Sequence, residues 1–253
     1  MNKIKINLLF ACLFLSCSNI FGQLSEAEVK AMILESNEQQ LVVNSSRMLQ
    51  ENHYYFAGLV TDQLLKLKPE SANYNYRKGF ILLGMDLNFE TALTHFEKAK
   101  DKTSKNFDMY SSKEEGCPVD VFYHLGRCYH LSEKYDQAKE FYNKFIEASY
   151  KESELIEEAQ LRITQCDIAK ELSAKPVDVK INSLQHINTE NGEYSSFLSL
   201  DGKALYLTSR RPWENDETEN MRDFMLNQYP EDIYVSLMDN NKNWGEVKRL
   251  DMC

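Results

Sequence analysis

Residues 122–149 read FYHLGRCYHLSEKYDQAKEFYNKFIEAS. Apolar and small residues recur at every third or fourth position in each half of this stretch, which is the spacing of one face of an α-helix. The first face holds Phe122, Leu125, Gly126 and Tyr129, and the second holds Tyr135, Ala138, Tyr142 and Phe145. We therefore expect two helices joined by a turn, with Gly126 and Ala138 small so that the helices can approach closely.

The order of these residue types resembles the tetratricopeptide repeat, in which a bulky residue, Leu-Gly and Tyr are followed by Ala and an aromatic residue in the second helix. A second unit, residues 76–99, repeats the second-helix pattern at Phe89, Ala92, Phe96 and Ala99. Gly79 is displaced by one position from the expected glycine, so we expect the turn near Gly84 to hold one extra residue. A weaker first unit contains Tyr54, Ala57 and Leu64 and ends at Pro69.

The spacing of the repeats predicts an insertion. Ala92 lies 35 residues after Ala57, whereas Ala138 lies 46 residues after Ala92, and the period of this repeat is about 34. The extra residues must lie near Asp101–Pro118, which is polar and rich in turn formers. Further along, Ser153–Leu172 is predicted to be a helix that covers the open end of the stack, because it has an apolar stripe at Ile156, Ala159, Ile163 and Cys166.

The helical period ends at Lys175-Pro176, because a proline disfavours helix at the residue before it. The following segments alternate or are rich in β-formers: Val177–Leu184, Phe197–Leu200, Ala204–Thr208 and Ile233–Leu237. Asp201-Gly202 is a strong hairpin signal, because glycine adopts positive φ without strain. We expect about four strands, which is enough for one blade of a β-propeller.

This region resembles the WD40-like propeller repeat of bacterial envelope proteins, in which a Ser-x-Asp-Gly-Lys turn leads into a Phe/Tyr-x-Thr-Ser strand. The turn is Ser199–Lys203, the strand is Tyr206–Ser209, and the Asp-Ile-Tyr-Val strand that completes such a blade is Asp232–Val235. A tetratricopeptide segment followed by these blades is similar to multidomain envelope proteins of the Bacteroidetes type. In that family an OmpA-like peptidoglycan-binding domain usually follows the propeller, and some members are implicated in type IX secretion.

The N-terminus predicts export. Lys3 and Lys5 precede the apolar run Leu8–Leu15, which is too short to span a bilayer and is followed by small and polar residues. We expect cleavage after Gly22 and a soluble product in the periplasm or at the periplasmic face of the outer membrane. The alternative is a lipoprotein anchored at Cys17, which is disfavoured because the bulky Phe14 fits a lipobox poorly.

These patterns together predict an α+β multidomain chain, with an all-α tetratricopeptide solenoid followed by an incomplete β-propeller. We expect a signal peptide at 1–22, tetratricopeptide-like helical repeats at 23–175 and the first blade of a WD40-like propeller at 176–253. A propeller needs four or more blades, so the resemblance implies a chain truncated within the propeller. Peptidoglycan binding belongs to a domain absent here and is not carried over.

Composition and motifs disfavour several functions. The net charge of −10 disfavours a nucleic-acid partner, which requires a basic face. The five histidines have no metal-ligand spacing, and no nucleophile elbow, P-loop or dinucleotide fingerprint occurs. We therefore predict no catalytic, cofactor-binding or metal-binding residue and no small-molecule substrate. After export four cysteines remain, with three possible complete pairings, and Cys128 and Cys166 fit buried, unpaired side chains better than a disulfide.

The favoured interpretation is a non-enzymatic protein–protein interaction scaffold of the cell envelope, which binds envelope proteins or peptides in its helical groove. Since the first helices of tetratricopeptide repeats line the inner face, the resemblance implies five groove residues: Tyr74, Tyr76, Tyr123, Arg127 and His130. A second recognition edge on the blade has three candidates: Arg210, Arg211 and Trp213. The alternatives are an accessory segment of an exported peptidase-type enzyme and a truncated remnant without a function.

Overall fold

The computed structural model describes residues 25–85, 88–150, 153–213, 221–223 and 225–250. The predicted signal peptide, Cys17 and Cys253 lie outside these residues. Eight helices come first in the described chain, followed by a small antiparallel sheet. The helices are α1 Glu26–Glu35, α2 Glu38–Gln50, α3 Tyr54–Leu67, α4 Ala72–Gly84, α5 Phe89–Ala99, α6 Val121–Leu131, α7 Tyr135–Ala148 and α8 Leu155–Ser173.

Local side chains fix where several helices begin. Ser25 and Asn37 each form a capping box, in which the cap side chain accepts from the backbone three residues on and that residue's side chain accepts from the cap backbone. Ser71 and Asn88 cap α4 and α5 by accepting from the backbone N–H of Tyr74 and Thr91. The first turns of these helices therefore have partners for backbone groups that the helices themselves leave unpaired.

The helices pack as successive helical hairpins: α2–α3, α4–α5 and α6–α7, with α8 against α7. Close contacts form where the sequence has glycine. A Cβ at Gly126 would lie 2.6 Å from the Tyr142 ring, and one at Gly79 would lie 2.8 Å from Phe96. The α4–α5 turn, between Gly84 and Phe89, is one residue longer than the α6–α7 turn, so the displaced glycine keeps its contact, as predicted.

Two apolar clusters hold the stack together. One joins α4 to α8 around Phe96, Leu125, Tyr142 and Phe145, and it includes the predicted α8 residues Ala159 and Cys166. The other joins α1 to α4 around Val42, Val60, Leu64 and Ile81. The covering helix predicted after the last repeat is confirmed, and Cys117, Cys128 and Cys166 are buried free thiols.

The predicted insertion lies between α5 and α6. Two short strands close its base: β1 Thr103–Ser104 and β2 Cys117–Pro118, which pair in parallel. Between them residues 105–115, here called the crossing loop, return to the earlier helices α2 and α4. The Cys117 N–H donates to the carbonyl of Lys102 at 2.8 Å, so the two ends of the loop are fixed close together.

The antiparallel sheet has the strand order β3 Glu193–Leu198, β4 Ala204–Ser209, β5 Asp232–Leu237 and β6 Lys248–Arg249. The predicted hairpin joins β3 to β4. Gly202 has φ +68°, and the Ser199 and Asp201 side chains accept from the backbone N–H of Lys203. One face of the sheet buries Leu205, Leu207 and Tyr234 against Ile187, while on the other Phe197 stacks on Tyr206 and is 60% exposed.

Two features differ from the sequence-based expectations. Val177–Leu184 forms no strand, and its apolar side chains are exposed, with Ile181 at 91%; alternation alone is not enough where no neighbouring strand pairs with the segment. The polar segment before β5 also reaches back to the helices. The Tyr55 N–H donates to the Met225 carbonyl at 2.9 Å, and Leu226 packs on the N-terminal cluster. None of the described helices is long and apolar enough to cross a membrane.

Candidate functional site

The first helices of the hairpins, α2, α4 and α6, contact one another directly, and the face that they form together is here called the inner face. Arg77 on α4 donates to Ser46 on α2 at 2.9 Å. The His124 ring on α6 lies 5.9 Å from Tyr76 and 5.4 Å from Phe80, both on α4. Helices α2, α4 and α6 thus form one continuous surface, as the repeat pattern implies.

The crossing loop covers the α2 and α4 part of this surface. The Gln39 side chain donates to the Tyr110 carbonyl at 2.7 Å and accepts from the Ser112 N–H at 2.9 Å. The carbonyl of Met109 accepts from both Ser46 and Arg77. Helix side chains therefore bind the loop mainly through its backbone.

Arg77 is the central cation of this half. Its side chain is 2% exposed, and it donates Nε to Asn73 at 2.7 Å. Burial lowers the pKa of Arg77 to about 10, which still leaves it charged at neutral pH. No carboxylate forms an ion pair with it among the residues that the structure describes, so the Met109 carbonyl and neutral side chains solvate the charge.

The predicted residues Tyr74 and Tyr76 lie in this covered half. Tyr74 is 1% exposed and donates its hydroxyl to Glu38 at 2.6 Å. Burial and this carboxylate raise the pKa of Tyr74. The Tyr76 ring stacks on Phe80 at 6.2 Å and meets the edge of Phe107 from the crossing loop at 6.3 Å. In this conformation both tyrosines contact the chain itself, and their role in partner binding stays a prediction.

The other half of the inner face is open. A cavity of about 370 Å³ lies between α6, α7 and α8, and it brings together the predicted residues Arg127 and His130. The remaining lining residues are Leu131, Tyr142, Arg162, Gln165, Ile168, Ala169 and Leu172. The predicted Tyr123 lies beneath this region, 3% exposed, with its ring 5.8 Å from Tyr142.

Two buried donors at this cavity have no acceptor among the described protein groups: the Tyr142 hydroxyl and the Arg162 Nε. Tyr142 is fully buried, and burial raises its pKa, so the hydroxyl keeps its proton. Arg162 also donates to Glu158 at 3.0 Å, and hydrogen bonds from Tyr123 and Arg162 lower the pKa of Glu158. Burial lowers the pKa of His130 and favours the neutral ring. The cavity thus has two guanidinium groups beside an apolar wall of α8.

The three candidates on the sheet have intramolecular contacts. Arg210 pairs with Glu231 and Asp223. Arg211 donates to the Ile187 carbonyl at 2.8 Å and to Glu193 at 3.4 Å, with its guanidinium 4.9 Å above the Tyr234 ring. The Trp213 ring lies 4.3 Å from the Arg249 guanidinium. These contacts stabilise the sheet, and recognition by these residues stays a prediction.

Sequence reasoning missed Tyr142, Arg162 and Gln165 as cavity residues. Tyr142 belongs to a packing stripe, and the stripe does not reveal that its hydroxyl has no protein acceptor. Arg162 and Gln165 lie on α8, for which the sequence predicts only a covering role. Their spacing of three residues, followed by Ile168, Ala169 and Leu172, places them along one helix face and was the available signal. Among the described residues, no cluster of three or more histidine, cysteine or acidic side chains could hold a metal.

A scan against known protein families matched none, and a search of curated proteins found no relative. Among solved structures, the chain is similar to the TPR2B domain of yeast Sti1, in a complex with pHsp70, at 14% identity and a TM-score of 0.41, covering 52% of this chain and 96% of that one. The chain is also similar to the type III secretion translocator chaperone SycD of Yersinia enterocolitica, at 13% identity and a TM-score of 0.41, and the match covers 60% of this chain and 92% of SycD. A third similar structure is the Sgt2 TPR domain of Aspergillus fumigatus, at 18% identity and a TM-score of 0.42, and the match covers 58% of this chain and 89% of that domain.

Proposed function

We propose that this chain is a non-enzymatic interaction protein that binds an extended segment of a partner protein in the open half of its helical groove. The observation that carries the proposal is a pair of buried donors, Tyr142 Oη and Arg162 Nε, which have no acceptor within the described part of the chain and belong to residues that line a cavity with a second guanidinium from Arg127. Buried donors are normally paired, because leaving them unpaired is unfavourable. Both residues line the cavity, so a ligand with acceptor oxygens there would supply the missing partners.

The lining of the cavity indicates what the partner presents. Arg127 and Arg162 favour a carboxylate or a main-chain carbonyl, since charge-assisted hydrogen bonds are the stronger ones. Leu131, Ile168 and Leu172 are exposed at 55%, 52% and 68%, and they offer an apolar surface beside the charged groups. The ligand class is therefore a peptide with an acidic or carbonyl oxygen next to an apolar side chain. No reaction is needed to explain these groups.

We extend this proposal to the cell envelope. The apolar N-terminal run with its two lysines supports export to the periplasm, with lipidation at Cys17 as the alternative. The Ser199–Lys203 turn and the four-stranded antiparallel sheet support a first propeller blade as a second docking surface. A role in outer-membrane or peptidoglycan organisation, or in type IX secretion, follows from the family resemblance of these two parts taken together.

Site-specific photo-crosslinking in cells that produce the protein tests the binding site. Ile168 and Leu161 are both on α8 and similarly exposed, at 52% and 56%, but only Ile168 lines the cavity. A photoreactive residue at Ile168 should capture a partner that the same residue at Leu161 does not, and Arg127→Ala should remove the product. Equal capture at both positions, or none by a chain with native far-UV circular dichroism, contradicts the proposal.

A further inference from the structure

Helix α8 has an apolar stripe on the side that faces away from the core. Leu161, Ile168 and Leu172 are each more than half exposed. At about 100° per residue, they lie within about 40° of one another around the helix axis. The buried residues of α8, Ala159 and Cys166, lie on the opposite side. Single exposed leucines are ordinary, but an aligned row of large aliphatic side chains on a surface helix indicates a contact surface.

The two ends of this stripe carry opposite charges. Glu154 directly precedes α8 and Lys175 follows it, and both side chains are exposed. Neither of them forms an ion pair with another described residue. A rise of about 1.5 Å per residue places them about 30 Å apart, so they cannot pair with each other within one copy. A surface that is acidic at one end and basic at the other is complementary to itself when it is reversed.

We propose that the stripe on α8 binds a second copy of this chain, with the two α8 helices antiparallel about a two-fold axis. Leu161 and Ile168 have the same midpoint in the sequence as Glu154 and Lys175. One register therefore places Leu161 against Ile168 of the second copy and, at the same time, Glu154 against Lys175 of the second copy. Each of these contacts occurs twice, as a two-fold symmetric interface requires.

The contact between copies does not depend on the α6–α8 cavity having a ligand. The cavity lies to one side of the stripe: Ile168 and Leu172 border it, and Arg162 and Ala169 line it further round the helix. Because a cavity ligand and a second copy both contact Ile168 and Leu172, the two compete at this border, and the dimer is tested without ligand. In the crosslinking experiment a captured second copy doubles the mass of the chain, which distinguishes it from a different partner.

Sedimentation velocity of the full chain over a wide range of concentrations tests the proposal. An interface made by one helix from each copy is small, so we expect a dimer that dissociates on dilution. Leu161→Glu places a carboxylate against Ile168 of the second copy, and it should weaken the dimer by at least about ten-fold because a buried, unpaired charge is unfavourable. The control is Leu67→Glu, since Leu67 at the end of α3 is similarly exposed, at 51%; it should leave the dimer unchanged.

A charge reversal tests the antiparallel register. Glu154→Lys places two lysines together at each end of the interface, so it should weaken the dimer. The double variant Glu154→Lys/Lys175→Glu restores opposite charges and should recover most of the lost affinity. Because the two positions are about 30 Å apart within one copy, this recovery can come only from contacts between copies.

Three outcomes contradict the proposal. A monomer at every concentration, as expected if a different protein covers the stripe, overturns it, and so does a dimer that Leu161→Glu leaves unchanged. A double variant that dimerises no more tightly than Glu154→Lys refutes the antiparallel register. Far-UV circular dichroism checks the folding of each variant, and if Leu161→Glu is not folded, Ile168→Glu provides the same test.

Discussion

The contact between Gly126 and Tyr142 gives a sharp test of how the repeats pack. A Cβ added at Gly126 would lie 2.6 Å from two atoms of the Tyr142 ring and 2.9 Å from a third. Carbon atoms normally approach to about 3.5–4.0 Å, so one of the groups must move by about 1 Å. Tyr142 is fully buried, with the Tyr123 ring at 5.8 Å and the His130 ring at 6.5 Å. Moving the ring would disturb its contacts with Tyr123 and His130.

Gly58→Ala is a matched control, because Gly58 lies inside α3 and an added Cβ meets Ile81 at an ordinary 3.6 Å. Replacing glycine by alanine within a helix raises the free energy of unfolding by about 1 kcal/mol through backbone entropy. Both substitutions have this gain, whereas only Gly126→Ala has an overpacking penalty of about 1–3 kcal/mol. We expect Gly58→Ala to stabilise the protein, and Gly126→Ala to be less stable than Gly58→Ala by about 1–3 kcal/mol.

Urea unfolding followed by circular dichroism at 222 nm measures both variants. Tyr142→Leu identifies the cause, since it removes the ring: in that background Gly126→Ala should lose most of its penalty, which gives a positive coupling in a double-mutant cycle. If Gly126→Ala is as stable as Gly58→Ala, or if the penalty persists without the ring, the close approach of α6 and α7 at this glycine is refuted.

Three other predictions concern single side chains. His124 stacks on Phe96, has no acceptor for Nδ1 among described groups, and has a pKa lowered by burial to about 3. Below about pH 6.5 the unfolded chain therefore takes up a proton on this residue while the folded chain does not, so the free energy of unfolding decreases by up to about 1.4 kcal/mol for each unit by which the pH is lowered. Urea titrations between pH 7 and 4 should show that the free energy of unfolding of His124→Phe depends less steeply on pH than that of the wild type. An unchanged dependence contradicts this prediction. Burial raises the pKa of Cys117 and Cys128 to about 12, so iodoacetamide at pH 8 should modify these thiols only after urea unfolding. Mass spectrometry of the tryptic peptides measures the modification. Rapid labelling of the folded protein contradicts the burial of the two thiols. Gly202 has φ +68°, and an added Cβ would have no atom within 4 Å. Gly202→Ala should therefore destabilise the sheet by about 1 kcal/mol through backbone strain alone. Thermal unfolding measures this loss, and the control Lys203→Ala should have almost no effect.

The sequence predicted the parts of this fold that depend on local spacing. Gly126 and Tyr142 are close in the chain, and the helical period brings them together, so their residue types predict both the hairpin and its closest contact. The same holds for Asp201-Gly202, whose turn depends on the φ of one glycine. Even the displaced Gly79 could be interpreted correctly, because one extra turn residue restores its register with Phe96.

The contacts of the crossing loop could not be predicted in this way. The hydrogen bonds from α2 and α4 to the loop join residues 32 to 73 positions apart, as in Arg77–Met109 and Gln39–Ser112, and they use polar side chains that follow no period. Composition identified the insertion as polar and turn-rich, which also describes a loop that extends into solvent. Arg77 determines where the loop lies. A buried cation needs hydrogen-bond acceptors, and the insertion provides one of them, the Met109 carbonyl. Because that acceptor is the backbone carbonyl of Met109, it is independent of the side chain at that position, and no pattern of residue types could reveal it.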